Sequence, residues 1–479
     1  MILLLFILIP FLAGCLSFIF KGDAVKSLAL ISTIATLAVT GYVTATTADA
    51  IYFSMQWLPV LGAELNVMGD GMSLMLSLLV ALVMVVIVIS NWNKPVEKTS
   101  AYYGLMLLSQ AGITGVFLAN DALLFYFFWE LALIPVYFLC SQRGGEKRIK
   151  VTFKFFVYTF VGSLMMLSAI ILLASKSPAA NPYAWSNIVL AGSMLSPIEQ
   201  QWVFWLIFLA FAVKMPVFPF HTWQPDTYEQ SSTPVTIILS ALMVKMGIFG
   251  VVRWLLPVLP DAATFWSDTV IILSVIGIVY ASLLAIVQTD LKKLVAYMSI
   301  AHMGLMCAAA FAYTQVGMHG LMVQMFNHGI NITGMWLIIS MIENRYGTRD
   351  MRQLGGMATV APHITIAFVI LAFSNIALPL TSGFVGEFML FNGIFQSQSP
   401  YNITYVVIAG LSIILGAYYV LNMVLKTAFG HVVVAGNNKD MTLNESIAMA
   451  LIIALVLFLG VYPKPLLDLT QSAAMMMIP

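Results

Sequence analysis

"AVKMPVFPFHTW" (residues 212–223) places a lysine, two prolines and a histidine inside one of the most apolar parts of the chain. A charged side chain near the centre of a bilayer costs about 2.5–3.5 kcal/mol on insertion scales. Proline has no backbone N–H to donate, so Pro216 and Pro219 are expected to deprive the carbonyls of Ala212 and Met215 of their helical partners. Lipid does not satisfy such groups, but a protein interior or a wet cavity does. The segment therefore predicts a broken transmembrane helix inside a bundle.

The whole chain has the composition of an integral membrane protein. Of its 479 residues, 61% are hydrophobic and 9% are charged, whereas soluble domains carry about 25% charged residues. Its three cysteines, Cys15, Cys140 and Cys307, are too far apart for the usual cluster or zinc spacing. The sequence contains no glycine-rich nucleotide motif. We therefore expect no metal, cofactor or nucleic acid to bind this chain, and any redox cofactors to belong to other chains.

Apolar runs of the length that a transmembrane helix requires, about 20 residues, recur along the sequence. They cover residues 1–20, 25–46, 72–90, 101–119, 121–140, 153–175, 201–225, 231–256, 269–288, 292–312, 316–342, 363–396, 402–426 and 444–463. No positive charge precedes the first run, so we interpret it as a transmembrane helix rather than a signal peptide. Prolines interrupt the seventh and twelfth runs. The expected fold is an all-α integral membrane protein with about fourteen transmembrane helices.

Lysine and arginine residues indicate how these helices are oriented. Sixteen of the 21 lie in or beside the loops after the odd-numbered helices, and this group includes Lys439. Three others, including Arg253, lie on the opposite side, and two remain inside the membrane. Cytoplasmic loops are enriched in positive charge. We therefore expect the loops at 141–154 and 343–361 to face the cytoplasm and both ends of the chain to lie outside.

Six titratable side chains lie deep in the apolar runs. They are Glu130, Lys214, Lys245, His302, His328 and Glu387. Groups of this kind must face the bundle interior and find partners there. Structural ion pairs that lock helices together are one interpretation. Two acids, two bases and two histidines on six helices fit a row for lateral proton transfer better, since each transfer is short and water can bridge the gaps.

A movable ion pair would make such a row switchable. At about 4 Å and an effective dielectric near 20, two charges interact by about 4 kcal/mol, which corresponds to roughly three pKa units. If Glu130 approaches Lys214, the lysine holds its proton, and if Glu130 withdraws, the lysine releases it. His221 could admit protons from the cytoplasmic side or cap the helix break. Haem ligation by His302 and His328 is a further alternative, but it leaves both lysines and both glutamates unexplained.

The two proline-interrupted helices suggest an internal repeat around a transport site. Helices 4–8 and 9–13 contain five members each, so the second set crosses the membrane in the opposite direction and the repeat is inverted. The expected divisions are N-terminal helices at 1–100, a first repeat at 101–256, a second repeat at 269–426 and a C-terminal helix at 444–479.

Four stretches resemble the antiporter-like membrane subunits of respiratory complex I, the NADH-quinone oxidoreductase. They are "FYFFWELALIPVYFL" (125–139), "AVKMPVFPFHTWQPDTYEQSSTPVTIILSALMVKMG" (212–247), "QTDLKKLVAYMSIAHMG" (288–304) and "MFNHGINITGMWLI" (325–338). The resemblance extends over nearly the whole chain. Glu387, where the L- and N-type subunits are expected to carry a lysine, and an end soon after helix 14 make the chain most similar to the bacterial M-type branch, whose mitochondrial counterpart is chain 4.

The resemblance implies fourteen transmembrane helices in two inverted five-helix repeats, and a role in proton transport. Glu130 and Lys214 correspond to the mobile ion pair of the family. Lys245 corresponds to a proton relay that histidines assist, and Glu387 to the group on the exit side. His302 and His328 match family positions whose roles are less well defined.

In that family NADH, FMN, iron–sulfur clusters and quinone belong to partner subunits, so the resemblance implies that this chain catalyses no redox step itself. The implied partners are the L- and N-type membrane subunits, the peripheral redox arm and the lipid of a bacterial inner (plasma) membrane. Subunits of multisubunit sodium/proton antiporters and of membrane-bound hydrogenases share the fold and remain rival functions. A purely structural membrane anchor is a third alternative.

Overall fold

The computed structural model describes residues 1–432 and 440–476, and this part of the chain is almost entirely helical. Lys439, which the charge distribution assigns to the cytoplasmic side, lies outside the described residues. Ten of the described helices are long and apolar enough to cross a membrane. The expectation of a helical membrane protein is therefore confirmed.

The elements follow one another closely along the chain. The first part contains α1 (Ile2–Ser17), α2 (Asp23–Thr46), β1 (Ile51–Leu58), β2 (Ala63–Gly69), α3 (Gly71–Ser90), α4 (Thr99–Leu118), α5 (Ala122–Gln142) and α6 (Arg148–Lys176). The middle contains α7 (Trp185–Ser193), α8 (Pro197–Lys214), α9 (Trp223–Gln230), α10 (Thr233–Leu255), α11 (Pro260–Val287), α12 (Leu291–Ala310) and α13 (Gln315–Tyr346). After a 3-10 turn (Met351–Gln353) come α14 (Met357–Val360), α15 (Pro362–Asn375), α16 (Ser382–Phe395), α17 (Asn402–Ala428), α18 (Leu443–Val461) and α19 (Lys464–Met476).

The β-hairpin of β1 and β2 is an element that the sequence analysis does not predict. The two strands pair antiparallel, with Ile51 opposite Gly69. Gly62 in the turn has φ +70° and lies directly against the Ala180 carbonyl, so a larger residue does not fit there. A search for apolar runs of about 20 residues overlooks strands of eight and seven residues, which explains the omission.

The seventh predicted helix is broken at its prolines. α8 ends at Lys214, and α9 begins at Trp223. The Val217 N–H nevertheless donates to the Ala212 carbonyl at 2.9 Å. The Trp223 indole N–H donates to the Val213 carbonyl at 2.9 Å. The Ala212 carbonyl has thus lost its helical partner at Pro216, as expected, and it accepts instead from the next available donor, five residues along.

The twelfth predicted helix is broken in a similar way. α15 ends at Asn375, and α16 begins at Ser382. The Leu378 N–H donates to the Phe373 carbonyl, again five residues earlier, at 3.0 Å. Asn327 of α13 donates its side-chain N–H to the Ser382 carbonyl at 2.8 Å. Neighbouring protein groups thus satisfy part of the backbone at both breaks, as burial in a membrane requires.

α10 and α13 lie in the interior of the bundle. The apolar stretch of α10 is 100% buried, whereas those of α2 and α18 are 33% buried and expose their remaining surface. α13 spans 32 residues and is buried along nearly all of its central part. α10 also contains two π-helical segments, Ile238–Met243 and Val251–Leu255. Such segments are rare and frequently mark functional sites, and polar groups on these two helices are shielded from lipid.

Candidate functional site

Four of the predicted residues form one row inside the bundle. Lys245 Nζ lies 2.7 Å from His328 Nδ1. The centroids of the His328 and His302 rings are 5.4 Å apart, and His302 Nε2 lies 3.1 Å from Glu387 Oε1. Each residue comes from a different helix, namely α10, α13, α12 and α16 in that order. We call these four residues the histidine row.

Lys245 occupies the deepest position of the histidine row. It is fully buried, and its ammonium group has two acceptors, the His328 ring and the Ser240 carbonyl at 2.9 Å. In the part of the chain that the structure describes, no carboxylate oxygen lies within 4.0 Å of Lys245 Nζ. The Ser299 hydroxyl lies 3.5 Å from the other ring nitrogen of His328. A proton on Lys245 is therefore held by neutral groups, and a polar contact continues from His328.

The carboxylate end of the row faces a small cavity. Glu387 and His302 line a space of about 20 Å³ together with Asn375, Ser412 and Tyr419. A cavity of this size holds a water molecule when polar partners surround it. Asn375 is the last residue of α15. The break in the twelfth predicted helix thus lies beside the carboxylate that ends the row.

Glu130 and Lys214, the predicted ion pair, are separated in this structure. Lys214 Nζ lies over the Trp129 ring, 5.2 Å from its centroid. Among the described residues, neither Lys214 Nζ nor Glu130 Oε1 has a hydrogen-bond partner. Lys214 is 2% exposed. The structure places the two residues on adjacent helices without joining them, and we call this separated arrangement open.

Close packing joins α8 and α10, the helices that carry the two buried lysines. Gly247 follows Lys245 by two residues, and Met215 directly follows Lys214. A Cβ atom on Gly247 would lie 2.8 Å from the Met215 backbone nitrogen. Contacts this short do not occur for real Cβ atoms, so glycine allows α10 to approach the end of α8.

His221 lies in the break between α8 and α9, apart from the histidine row. Its side chain is buried, and its ring packs against Phe218 at 5.7 Å and Tyr280 at 5.2 Å between centroids. Its carbonyl accepts the Gln224 N–H at 3.0 Å, near the start of α9. These are contacts of packing and of a helix start, so His221 takes no part in the histidine row of this structure.

Three residues beside the predicted ones carry no signal in the sequence. Trp129 contacts Lys214, Ser299 contacts His328, and Tyr419 lines the cavity at Glu387. Aromatic and hydroxyl residues are common in apolar helices, and spacing alone does not separate these three from the rest. Their positions become evident only when the helices are assembled.

A buried ion pair near the C-terminal end of α10 also lies outside the predicted site. Arg253, which the charge distribution assigns to the outer side, is 4% exposed and pairs with Asp70, directly before α3. Burial alone would raise the pKa of Asp70, but the charge and hydrogen bond of Arg253 and the Ser73 N–H outweigh it and hold the pKa below its ordinary value. The pair lines an open cavity of about 800 Å³.

A second cavity lies among charges predicted to be cytoplasmic. It has a volume of about 430 Å³, and its lining includes Lys94, Arg143, Lys292, Glu343 and Arg349. Glu343 pairs with Lys292 at 3.6 Å and with Arg349 at 3.3 Å. These residues lie far apart in the sequence, so the charge pattern alone does not show that they are neighbours. Folding makes them the wall of one polar vestibule.

Comparisons with known proteins match most of the chain. A family model described as "NADH:quinone oxidoreductase/Mrp antiporter, TM" matches residues 119–415. NADH-quinone oxidoreductase subunit M of Rickettsia prowazekii (strain Madrid E) is 36% identical over 414 residues, which cover 86% of this chain and 83% of the relative. The subunit M of Escherichia coli (strain K12) is 33% identical over 491 residues, covering 98% and 96%. A chain of respiratory complex I from Thermus thermophilus with bound NADH superposes with a TM-score of 0.91 at 27% identity, covering 100% of both chains.

Proposed function

The chain belongs to the NADH-quinone oxidoreductase subunit M family, and from this premise we propose that it moves protons along the histidine row. It is a proton-translocating, antiporter-like membrane subunit of complex I. The observation that carries the proposal is the run of close polar contacts from Lys245 to Glu387 through an otherwise apolar interior.

Lys245 and His328 share one proton in this proposal. Two positive charges 2.7 Å apart would repel strongly in a buried site, so protonated Lys245 requires a neutral imidazole whose Nδ1 lone pair accepts its hydrogen bond. When Nδ1 takes the proton, the opposite ring nitrogen can release one. That nitrogen faces Ser299, and the hydroxyl group, with the adjoining His302, continues the path.

Glu387 receives the proton at the end of the row. His302 is 3.1 Å from the carboxylate, so a protonated imidazole and a carboxylate exchange a proton there without further movement. The cavity beside Tyr419 and Asn375 has room for the water molecule that takes the proton onward. A carboxylate suits this place because it accepts a proton from a cation and then becomes neutral.

The Glu130–Lys214 pair decides when the row is loaded. In the open arrangement no carboxylate holds the Lys214 proton, which is then available for transfer toward Lys245. When Glu130 closes on Lys214 to about 4 Å, their attraction of about 4 kcal/mol retains the proton instead. Alternation between the two arrangements allows events elsewhere in the complex to control proton loading.

The proposed architecture has fourteen transmembrane helices. The ten long apolar helices are supplemented by α1, by α13, and by the broken pairs α8–α9 and α15–α16. The first inverted repeat covers 101–256 and the second 269–426, each with one broken helix, between N-terminal helices at 1–100 and a C-terminal part at 444–479. Both ends lie outside, and the charged vestibule at Glu343 faces the cytoplasm.

The chain works as one component of an enzyme complex in a membrane. We place NADH, FMN, the iron–sulfur clusters and quinone on partner subunits, so the chain has no redox centre of its own. Its membrane neighbours are the L- and N-type subunits, and the peripheral arm supplies the driving reaction. The compartment is the bacterial inner membrane.

The proposal is tested by NADH-driven proton uptake in native membrane vesicles, with quinone reduction followed in parallel. Glu387→Gln removes the terminal proton acceptor and keeps its size, so proton uptake should fall at least about tenfold, with coupled turnover falling in step. The same change at Glu199, a partly exposed residue in a helix cap, is the control and should have no effect. Normal proton uptake by an assembled Glu387→Gln complex would show that the row is not the path.

A rival function is sodium/proton exchange, because the matching family model includes Mrp antiporters. Purification of the native complex separates the two functions. Flavin and iron–sulfur subunits that copurify with the chain support the complex I assignment, whereas small antiporter subunits in their place would support exchange.

A further inference from the structure

We propose that Trp129 is a positioning residue that holds the Lys214 ammonium while the Glu130–Lys214 pair is open. The inference rests on the proposed function, because it concerns one of the two arrangements of that pair. The Trp129 ring centroid lies 5.2 Å from Lys214 Nζ. A cation within about 6 Å of an aromatic face is attracted by the electron density of the ring, and tryptophan attracts it most strongly.

Packing fixes the Trp129 ring in this position. The side chain is 1% exposed, and its ring contacts Phe125 at 5.6 Å and Phe211 at 5.7 Å between centroids. Phe211 belongs to α8 and precedes Lys214 by less than one helical turn. The helix that carries the lysine therefore also contacts the ring directly. The aromatic face is in place before the lysine arrives, and no side-chain rearrangement is required to form the contact.

Trp129 stabilises a buried charge that has no hydrogen-bond partner in the described part of the chain while the pair is open. Lys214 is 2% exposed, and among the described residues its Nζ has no hydrogen-bond partner. A buried ammonium without solvent, carboxylate or carbonyl contacts is strongly disfavoured. The indole face stabilises the charge, yet the ring cannot accept the proton. The ring therefore stabilises the ammonium in the open arrangement until the proton passes toward Lys245, and it does not compete for that proton.

The order of the residues along α5 makes this a two-position device. Trp129 and Glu130 are consecutive residues of α5, so their side chains leave the helix about 100° apart, and the lysine that lies over the ring moves sideways to reach the carboxylate. When the Lys214 ammonium moves from the Glu130 carboxylate to the Trp129 ring, its positive charge is still stabilised. The ring narrows the difference in stability between the closed and open arrangements, so a smaller driving force suffices to open the pair.

Fluorinated tryptophan at position 129 tests this inference in the intact complex. Fluorine atoms withdraw electron density from the ring face while changing its size little, so a purely structural role is unaffected. Mono-, di- and trifluorotryptophan are introduced at codon 129 by nonsense suppression, and NADH-driven proton uptake is measured in native vesicles. The same series at Trp336, a buried ring that packs on Tyr228, is the matched control. Trp129→Phe and Trp129→Leu complete the series.

We expect a graded fall in proton uptake with each added fluorine, to about one third at three fluorines, and a fall of about tenfold or more for Trp129→Leu, with Trp129→Phe between them. The Trp336 series should remain at the wild-type rate. A flat series at position 129, or a rate that rises with fluorination, would overturn the inference. Glu130→Gln measured alongside separates the two claims. If Glu130→Gln abolishes pumping and the fluorine series is flat, only the role of Trp129 fails; if Glu130→Gln pumps normally, the proposed function of the pair fails.

Discussion

Replacing His328 distinguishes a proton relay from a structural histidine. We consider His328→Leu, which removes both ring nitrogens, and His328→Gln, which retains a polar acceptor for Lys245 but has no pair of nitrogens that can gain and release a proton. Both side chains fit approximately into the space of an imidazole. A relay requires exchange of the proton, whereas a structural role requires only the hydrogen bond.

The size of the effect follows from the contacts of Lys245. Its ammonium has two acceptors, at 2.7 and 2.9 Å, and a hydrogen bond to a charged group contributes about 1.5–3 kcal/mol. His328→Leu removes one of them and should reduce the population of protonated Lys245 by about 10- to 150-fold. His328→Gln keeps much of that contact. It still leaves no relay between Lys245 and His302, so pumping should fall at least about tenfold in both variants.

The assay is NADH-driven proton uptake by native vesicles, normalised to the amount of assembled complex. His319→Gln is the matched control, because His319 lies on the same helix but binds the Leu467 carbonyl at 2.9 Å, away from the row. We expect the control to pump at the wild-type rate. Pumping by His328→Gln at the wild-type rate, together with failure of His328→Leu, would refute the relay and leave a structural hydrogen bond.

Three further predictions concern stability. Asp70→Asn leaves the buried Arg253 without its carboxylate and should destabilise the extracted complex by about 3–5 kcal/mol, which thermal inactivation measures; an unchanged midpoint would contradict this. Gly247→Ala introduces a Cβ only 2.8 Å from the backbone of the helix break and should cost about 1–3 kcal/mol, seen as less assembled subunit; normal assembly would show that the helices can separate. Burial raises the pKa of Asp440, but backbone N–H groups, including that of His363, outweigh it and leave the pKa below its ordinary value. The stabilisation is therefore present at neutral pH and lost as pH falls through the lowered pKa. Hydrogen exchange at the start of α15, divided by the intrinsic exchange rate at the same pH, should therefore show less protection at pH 3 than at pH 7, and equal protection would contradict it.

The members of the histidine row could be found in the sequence because charge is rare in an apolar chain. A lysine or glutamate inside a hydrophobic run has an energetic cost in lipid, so Lys245 and Glu387 stand out without any structure. Their partners do not follow from that reasoning. Lys245 and His328 are 83 residues apart, and the contact depends on how α10 and α13 pack.

Sequence patterns do not predict every local detail of this structure. The missing N–H of Pro216 predicts that the Ala212 carbonyl loses its partner four residues along, but not which donor replaces it. The chain uses the next N–H instead, at Val217. The β-hairpin is not predicted for a different reason, because its strands are much shorter than the apolar runs that indicate transmembrane helices. The role of Trp129 is not predicted because tryptophan is common in apolar helices, and only the folded structure shows that Lys214 lies over its ring.

The burial of α10 has a consequence for how the subunit is made. The helix leaves the ribosome before some of its partners exist. Asp70 precedes Arg253 in the chain, so the arginine can find its carboxylate at once. His328 follows Lys245 by 83 residues, which a ribosome adds in about 4–17 s at about 5–20 residues per second. During that interval the newly inserted α10 carries a lysine without its final partner, and nascent chains arrested between α10 and α13 should be the species most readily degraded by membrane proteases.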